Sequence, residues 1–175
     1  MNINDLRKLV LTRLGEGATY DHCVATEKCM AALAARFGED EHLWAMTGLA
    51  HDLDLNECNE DLSDHTLIAK DVLEREQAPI ALINAVLGHN DKAPRTTRLA
   101  KALWVVDPAT GMITASALVR PSRSTADLTV KSIKKRMKDK RFAAAVNRDQ
   151  IRACESELQI PLDEFLQLCL TAMQP

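Results

Sequence analysis

Apolar residues recur along most of the chain at intervals of three and four positions, the spacing that places them on one face of an α-helix. Leu6, Val10 and Leu14 give the first such stripe, and Gly15 ends it. The chain lacks both the sustained apolar–polar alternation of strands and the Asn-Gly or Asp-Gly turns of hairpins. The pattern therefore predicts an all-α protein.

The stripes and the residues that break them set the order of the predicted helices. The predicted caps are Asn4 or Asp5 for the first helix, Asp40 for the third, Ser63 or Asp64 for the fourth and Asp127 for the seventh. Asp107-Pro108 predicts a kink or break within the sixth. His22 and His65 fall in the first turns of the second and fourth helices. The predicted helices run through Leu14, from about Tyr20 to Phe37, from Asp40 to about His51, from Ser63 or Asp64 through Leu73, from Pro79 to Gly88, from Leu99 to about Val119, from Asp127 through Arg141, from Arg148 to Leu158 and from Leu162 to Met173.

The length and composition of the chain are typical of one soluble domain. The chain has 175 residues, of which 46% are hydrophobic but only 3% aromatic, so aliphatic side chains must fill the interior, and this favours helix-on-helix packing. No run reaches the roughly 18 apolar residues of a membrane span, and the N-terminal segment lacks the features of a secretory signal. The five cysteines show no zinc-finger spacing, which is typical of isolated thiols in a reducing compartment. We expect a cytoplasmic protein without a membrane partner.

One pair of polar residues, His51-Asp52, ends an apolar helical run, where an unpaired imidazole and carboxylate would be costly to bury. A single buried histidine is usually a core residue with a hydrogen-bond partner. Here the pair belongs to a longer series in which each member lies at a helix start, a helix end or a break, so that residues of different helices can converge. The other members of the series are His22, His65, His89 and Asp107.

Imidazole and carboxylate together favour a divalent transition metal, namely Mn, Fe, Co, Ni or Zn. No pair of cysteines has zinc-finger spacing, and we expect no cysteine beside the series, which argues against a structural zinc site with thiolate ligands. A carboxylate has two oxygens, so Asp52 could bridge two ions, and both one ion and two remain open. In the two-ion arrangement, one ion is held by His22, His51 and Asp107 and the other by His65 and His89.

The order H…HD…H…H…D on a helical chain of this size resembles the HD superfamily of metal-dependent phosphohydrolases, and in particular small bacterial proteins of that superfamily. The segments that carry the resemblance are TGLAHDLD, GHND and LVRPSRSTADLTVKSIKKRMKDKRFAAAVNR. The resemblance implies a single-domain helical bundle of the HD type over residues 1–175, with a metal-binding core at about 18–110 and C-terminal helices at about 120–175. It also implies that the metal ligands are His22, His51, Asp52 and Asp107, and that His65 and His89 serve a second ion.

The sequence departs from the family pattern directly after the HD pair. Many members continue HDxGK, whereas Leu53-Asp54-Leu55 follows the pair in this chain, and no GYP segment occurs. The departure weakens a cyclic-dinucleotide phosphodiesterase interpretation. Asp54, Glu57 and Asn90 are candidates for contacts with the ligands or the substrate.

A basic segment after position 120 offers a partner for an anion. Lys131, Lys134, Lys135 and Lys138 share one helical face, where like charges repel each other unless an anion lies against them. A solvated face that keeps the protein soluble is the simpler explanation. Nucleic acid is the weaker partner, because the chain has few aromatic residues for stacking and a net charge of -3.

Together with the resemblance, these features predict a phosphohydrolase that acts on a small phosphorylated substrate, with a nucleotide as the first candidate. A metal-activated hydroxide attacks phosphorus, and Asp52 is the central catalytic residue. A di-iron oxygenase with the same ligands and a non-catalytic nucleotide-binding or signalling module are the alternatives; iron content with oxygen consumption would favour the former. The predicted substrate contacts are Lys131, Lys134, Lys135, Asn90 and Arg120.

Overall fold

The computed structural model describes residues 1–60 and 62–175. These residues form a compact, single-domain bundle of helices and contain no strand, which confirms the predicted all-α fold. The helices are α1 (Ile3–Leu14), α2 (Ala18–Phe37), α3 (Glu41–Ala50), α4 (Leu67–Arg75), α5 (Ile80–His89), α6 (Arg98–Leu118), α7 (Val130–Lys138), α8 (Arg148–Arg152), α9 (Cys154–Glu157) and α10 (Leu162–Met173). Short 3-10 turns occur at Leu55–Glu57 and Thr125–Asp127.

The predicted break at Pro108 is wrong, because α6 continues through it. A proline removes the backbone N–H that would bond the carbonyl oxygen four residues earlier, here that of Trp104. The side-chain amide of Gln150 donates a hydrogen bond to this oxygen instead. The helix therefore continues without a break, since Gln150, 42 residues after Pro108, satisfies the acceptor that Pro108 leaves free.

Several predicted helix ends also differ from the structure. Asn2, rather than Asn4 or Asp5, caps α1. Thr129, rather than Asp127, caps α7 through a reciprocal hydrogen-bonded pair with Ser132, and α7 ends at Lys138 instead of Arg141. The helix predicted from Arg148 to Leu158 consists of α8 and α9, which meet at Ala153.

The bundle is arranged around α2 and α6. Helix α2 packs against α3, α6 and α10, and α6 packs against α5 and α8. At Gly48 of α3 the backbones of α2 and α3 touch, since a Cβ atom there would lie 2.7 Å from the carbonyl oxygen of Thr26. This approach fixes the end of α3 relative to α2.

No helix within the described parts of the chain combines the length and the apolar character that crossing a bilayer requires.

Candidate metal centre

The six side chains predicted as ligands converge on one place, although they come from five separate segments. Two belong to the first part of α2 and the middle of α6, and two follow the end of α3 directly. One is the last residue of α5. His65, which was predicted to lie inside the first turn of α4, instead precedes that helix by two residues.

One group of ligand atoms surrounds the Oδ2 atom of Asp52. This oxygen lies 3.1 Å from Nε2 of His51 and 3.7 Å from Nε2 of His22. Nε2 of His22 lies 3.1 Å from Nε2 of His51 and also 3.1 Å from Oδ1 of Asp107. Three nitrogen or oxygen donors therefore face one oxygen of Asp52.

A second group surrounds the other oxygen of the same carboxylate. Oδ1 of Asp52 lies 3.4 Å from Nε2 of His65 and 3.5 Å from Nε2 of His89. The two Nε2 atoms lie 3.2 Å apart. Asp52 thus stands between two sets of donors, with one oxygen directed at each. The sets are adjacent, since ligand atoms of His51, Asp52 and His89 also lie within 4.8 Å of one another.

Backbone carbonyl groups fix two of the imidazole rings. Nδ1 of His51 donates a hydrogen bond to the carbonyl oxygen of Gly48 at 2.8 Å, and Nδ1 of His89 donates to that of Val86 at 2.6 Å. A carbonyl oxygen only accepts, so Nδ1 carries the hydrogen in both rings, and Nε2 of the neutral ring presents a lone pair.

Asp54 fixes the ring of His65 and also begins α4. Its Oδ1 atom accepts a hydrogen bond from Nδ1 of His65 at 2.8 Å, and its Oδ2 atom accepts from the backbone N–H groups of Thr66 and Ala69 at 2.8 and 2.9 Å. Asn90 donates to the carbonyl oxygen of His65 at 3.2 Å. One fully buried carboxylate therefore positions a candidate ligand and caps a helix.

The prediction that Ser63 or Asp64 caps α4 is wrong for this reason. The N-cap position is Thr66, whose backbone is left-handed with φ of 70° and whose side chain makes no capping hydrogen bond. The cap comes from Asp54, 12 residues upstream of Thr66, and neighbouring sequence alone does not indicate it.

Thr110 fixes His22. The Thr110 hydroxyl donates to the carbonyl oxygen of Asp107 at 2.8 Å, so it accepts from Nδ1 of His22, which lies 3.2 Å away. All four rings consequently direct Nε2 toward the centre while Nδ1 is held from behind, as in histidines that bind metal ions.

The arrangement fits a divalent cation. Two Nε2 atoms face each other at 3.1 Å in one pair and 3.2 Å in the other, so each pair needs a proton or a metal ion between its lone pairs. The raised pKa values of His51 and His65 supply that proton in the metal-free protein, and a divalent cation would replace it. Imidazole and carboxylate donors suit the first-row transition metals. The role of the six residues as ligands stays a prediction, and this geometry supports it.

The electrostatics of the metal-free site favour charged forms. Burial by itself would raise the pKa of Asp52, but His51 and hydrogen bonds from His65 and His89 hold it well below its usual range. Burial would lower the pKa of His51, yet the carboxylate of Asp52 raises it well above its usual range. Burial would also lower the pKa of His65, but hydrogen bonds to Asp52 and Asp54 raise it to about 9.

Metal affinity at His65 is expected to rise with pH. Because its pKa is about 9, the ring of the metal-free protein is protonated at neutral pH, and an ion that binds Nε2 must expel that proton. Affinity should therefore increase up to about tenfold per pH unit below pH 9 and level off above it. Calorimetric titration in two buffers of different ionisation enthalpy measures the released proton, and affinity that does not change between pH 6 and pH 8 would contradict the expectation.

Two cysteines lie beside the site, contrary to the expectation that none would. The Cys23 thiol contacts His51, and the Cys58 sulfur lies within 4.8 Å of ligand atoms of Asp54 and His65. Burial, with the carboxylates of Asp54 and other acidic residues, raises the pKa of Cys58 to about 11. Cys58 is thus a neutral thiol at pH 7, and it donates a hydrogen bond to the carbonyl oxygen of Asp54 at 3.2 Å.

The residues predicted to contact substrate do not gather in one place. Lys131, Lys134 and Lys135 line a groove along α7, where Lys134 forms an ion pair with Asp163. This groove shares no lining residue with the pocket beside His22. Their role in substrate contact stays a prediction.

The other two predicted substrate contacts lie elsewhere. Arg120 is half-buried in the turn after α6. Asn90 holds the backbone of His65.

Replacing Asp54 with asparagine should selectively weaken the binding of one of the two proposed ions. The amide removes the negative charge that accepts from Nδ1 of His65, so affinity at the group with His65 and His89 should fall about 10–100-fold. Affinity at the group with His22 should change little. Calorimetric metal titration distinguishes the two, and Asp64→Asn in the same loop is the control. An equal loss at both groups would show that Asp54 supports the fold in general.

The fold and the site together describe an all-α bundle that gathers four histidines and two aspartates as candidate metal ligands. The chain matches the HD domain family over residues 19–140, more than half of its length, and it therefore belongs to this family. Members of the superfamily are mostly metal-dependent hydrolases.

The curated relatives of the chain are much longer proteins. It is 26% identical over 86 residues to Ribonuclease Y of Lactobacillus gasseri and, by the same measures, to that of Lactobacillus johnsonii. The alignment covers 49% of this chain but only 16% of each relative. No solved structure matches the chain significantly.

Proposed function

We propose that the protein is a phosphohydrolase that binds two divalent transition metal ions and acts on a small phosphorylated molecule, with a nucleotide as the first candidate. The observation that carries the proposal is the position of Asp52, whose two carboxylate oxygens face separate donor groups. A single ion would need only one of these groups. A carboxylate shared between two ions explains why both groups are present and oriented.

Charge supports the choice of a phosphate substrate. Asp52 and Asp107 together contribute two negative charges, and the four histidines bind metal as neutral rings. Two divalent ions would leave a net charge of about +2 on the ions and their six ligands, or about +1 when the buried carboxylate of Asp54 behind His65 is counted. This positive charge favours a phosphate monoester, which carries about −2 near neutral pH.

The protein's own residues would orient the ions and restrict the side from which substrate enters. His65 and His89 are nearly inaccessible, while the side chains of His22 and Asp107 are 22% and 31% exposed, so substrate approaches from the side of these two. Ions bound here would supply a nucleophile from water at neutral pH and positive charge for the phosphoryl oxygens. Asp52 would contribute one oxygen to each ion, and the Nδ1 hydrogen bonds prevent the rings from turning away.

The relatives favour hydrolysis over the oxygenase alternative. Their name describes enzymes that cleave RNA, which is a reaction at a phosphodiester. The chain aligns with only 16% of each of them, so its own substrate is a separate proposal. Mn, Fe, Co, Ni and Zn all suit the donor set.

Elemental analysis of the purified protein combined with a phosphate-release screen tests the proposal. We expect Mn, Co, Ni, Fe or Zn at up to two ions per chain and release of phosphate from at least one nucleotide or sugar phosphate. His22→Ala should lower the rate about a hundredfold or more, whereas His42→Ala, at an exposed histidine outside the site, should not. Bound iron with substrate-dependent oxygen consumption and no phosphate release would overturn the proposal.

A further inference from the structure

The open side of the metal centre continues into a pocket of about 420 Å³. His22 forms the end of this pocket nearest the ligands. The other lining residues are Ala18 and Asp21 of α2 and Gly111, Thr114, Ala115 and Leu118 of α6.

The pocket meets the centre at His22 and follows α6 away from it. Asp107, Gly111 and Leu118 are separated by four and seven residues, so they follow one another on the same helical face. Asp107 is 31% exposed at the beginning of this row, beside Nε2 of His22. This row of residues leads from the centre into the pocket.

The charge of the pocket is unlike that of a polyphosphate site. No lysine or arginine occurs among its described lining residues, and its one charged group apart from His22 is the exposed carboxylate of Asp21. Alanine, glycine and leucine form most of the remaining wall. A second or third phosphate placed here would meet a like charge and no positive partner, which is unfavourable for binding.

We propose that the substrate carries a single phosphate and that this pocket holds its uncharged organic part, as in a nucleoside 5′-monophosphate. The inference rests on the proposed function and narrows its substrate class. The volume is within the range of small-molecule pockets. Asp21 can accept hydrogen bonds from hydroxyl or amino groups of the organic part.

The basic residues of the chain do not change this inference. The lysines of α7 line the separate groove with Asp163. Arg120 follows Leu118 by two residues in the turn after α6, but it is not among the residues that line the pocket.

Binding and turnover of matched nucleotides test the inference. Protein loaded with Mn²⁺, at constant free Mn²⁺, is titrated calorimetrically with the mono-, di- and triphosphate of each common nucleoside, and phosphate release is measured on the same set. Within the nucleoside that binds best, the monophosphate should bind about tenfold or more tightly than the triphosphate. Equal or tighter binding of the triphosphate, or no binding of any monophosphate, would overturn the inference.

Two variants connect the preference to the pocket. Asp21→Lys should tighten triphosphate binding about tenfold by supplying a positive charge, while Asp71→Lys, the same change on the exposed surface of α4, should not. Ala115→Trp should weaken nucleoside monophosphate binding about tenfold and leave inorganic phosphate binding unchanged. If the Ala115→Trp variant binds all ligands as tightly as the parent protein does, the assignment of the pocket is wrong.

The two proposals fail in different ways. If nucleoside monophosphates bind with the expected preference but no nucleotide or sugar phosphate is hydrolysed, the proposed function is wrong and the pocket assignment is supported. If phosphate is released fastest from triphosphates, the proposed function is supported and the inference is wrong.

Discussion

Asp52→Ala should lose both bound ions and all measurable phosphate release. Each of its oxygens faces one donor group, so the substitution removes a ligand from both groups at once. The loss of affinity should exceed the roughly 10–100-fold effect that follows removal of a residue that merely orients a ligand. Elemental analysis after dialysis measures the ion content, and a phosphate-release assay measures turnover.

Asp71→Ala provides the matched control for metal content, because this exposed carboxylate of α4 belongs to none of the groups of candidate ligands. Circular dichroism establishes that the Asp52 variant remains helical. A folded Asp52→Ala protein that keeps two ions per chain would refute the bridging role.

Gly48→Ala should destabilise the protein and loosen the metal site together. The added Cβ would lie 2.7–2.8 Å from backbone atoms of Thr26 and Glu27, and backbone cannot move aside as a flexible side chain does. Overpacking of this kind costs about 1–3 kcal/mol. Because the Gly48 carbonyl oxygen also accepts from Nδ1 of His51, displacement of α3 should move that ring relative to His22. Urea unfolding and metal titration measure the two effects.

Gly111→Ala is the same chemical change in a different setting. Its Cβ would meet the nearest atom, on Val146, at an ordinary 3.6 Å, so the variant should gain up to about 1 kcal/mol from better helix propensity. Opposite signs at the two positions are the expected result. A Gly48→Ala protein as stable as the parent would show that α2 and α3 can separate without cost.

Local sequence predicted the helices well where local contacts decide them. The stripe of α1 and the aspartate cap of α3 are visible within a few residues, and both occur in the structure. The cap of α4 and the continuity of α6 depend instead on Asp54 and Gln150, which act from 12 and 42 residues away. Such contacts exist only after folding, so periodicity and propensity cannot indicate them.

The candidate site was likewise predictable from the sequence only in part. The positions of histidines and aspartates at helix ends and breaks predicted that they would meet, because residues so placed can project from several helices toward one point. The groups that orient them were less visible. Thr110 gives no signal in the sequence, and Asp54 was only one of three unranked candidates, although it fixes His65. The two cysteines were missed although Cys23 directly follows His22 and Cys58 lies between Asp54 and His65 in the sequence, because neither belongs to a pair with zinc-finger spacing.

Unequal access to the two donor groups has a consequence for how the centre is loaded and emptied. The group with His65 and His89 has side chains that are 8% and 4% exposed, whereas the group with His22 and Asp107 opens to solvent. If two ions bind as proposed, the inner ion would have to enter past the outer position, and it would not leave while the outer position is filled. Protein isolated in chelating buffer should therefore retain the inner ion longest, and reactivation should follow the fast refilling of the outer position alone.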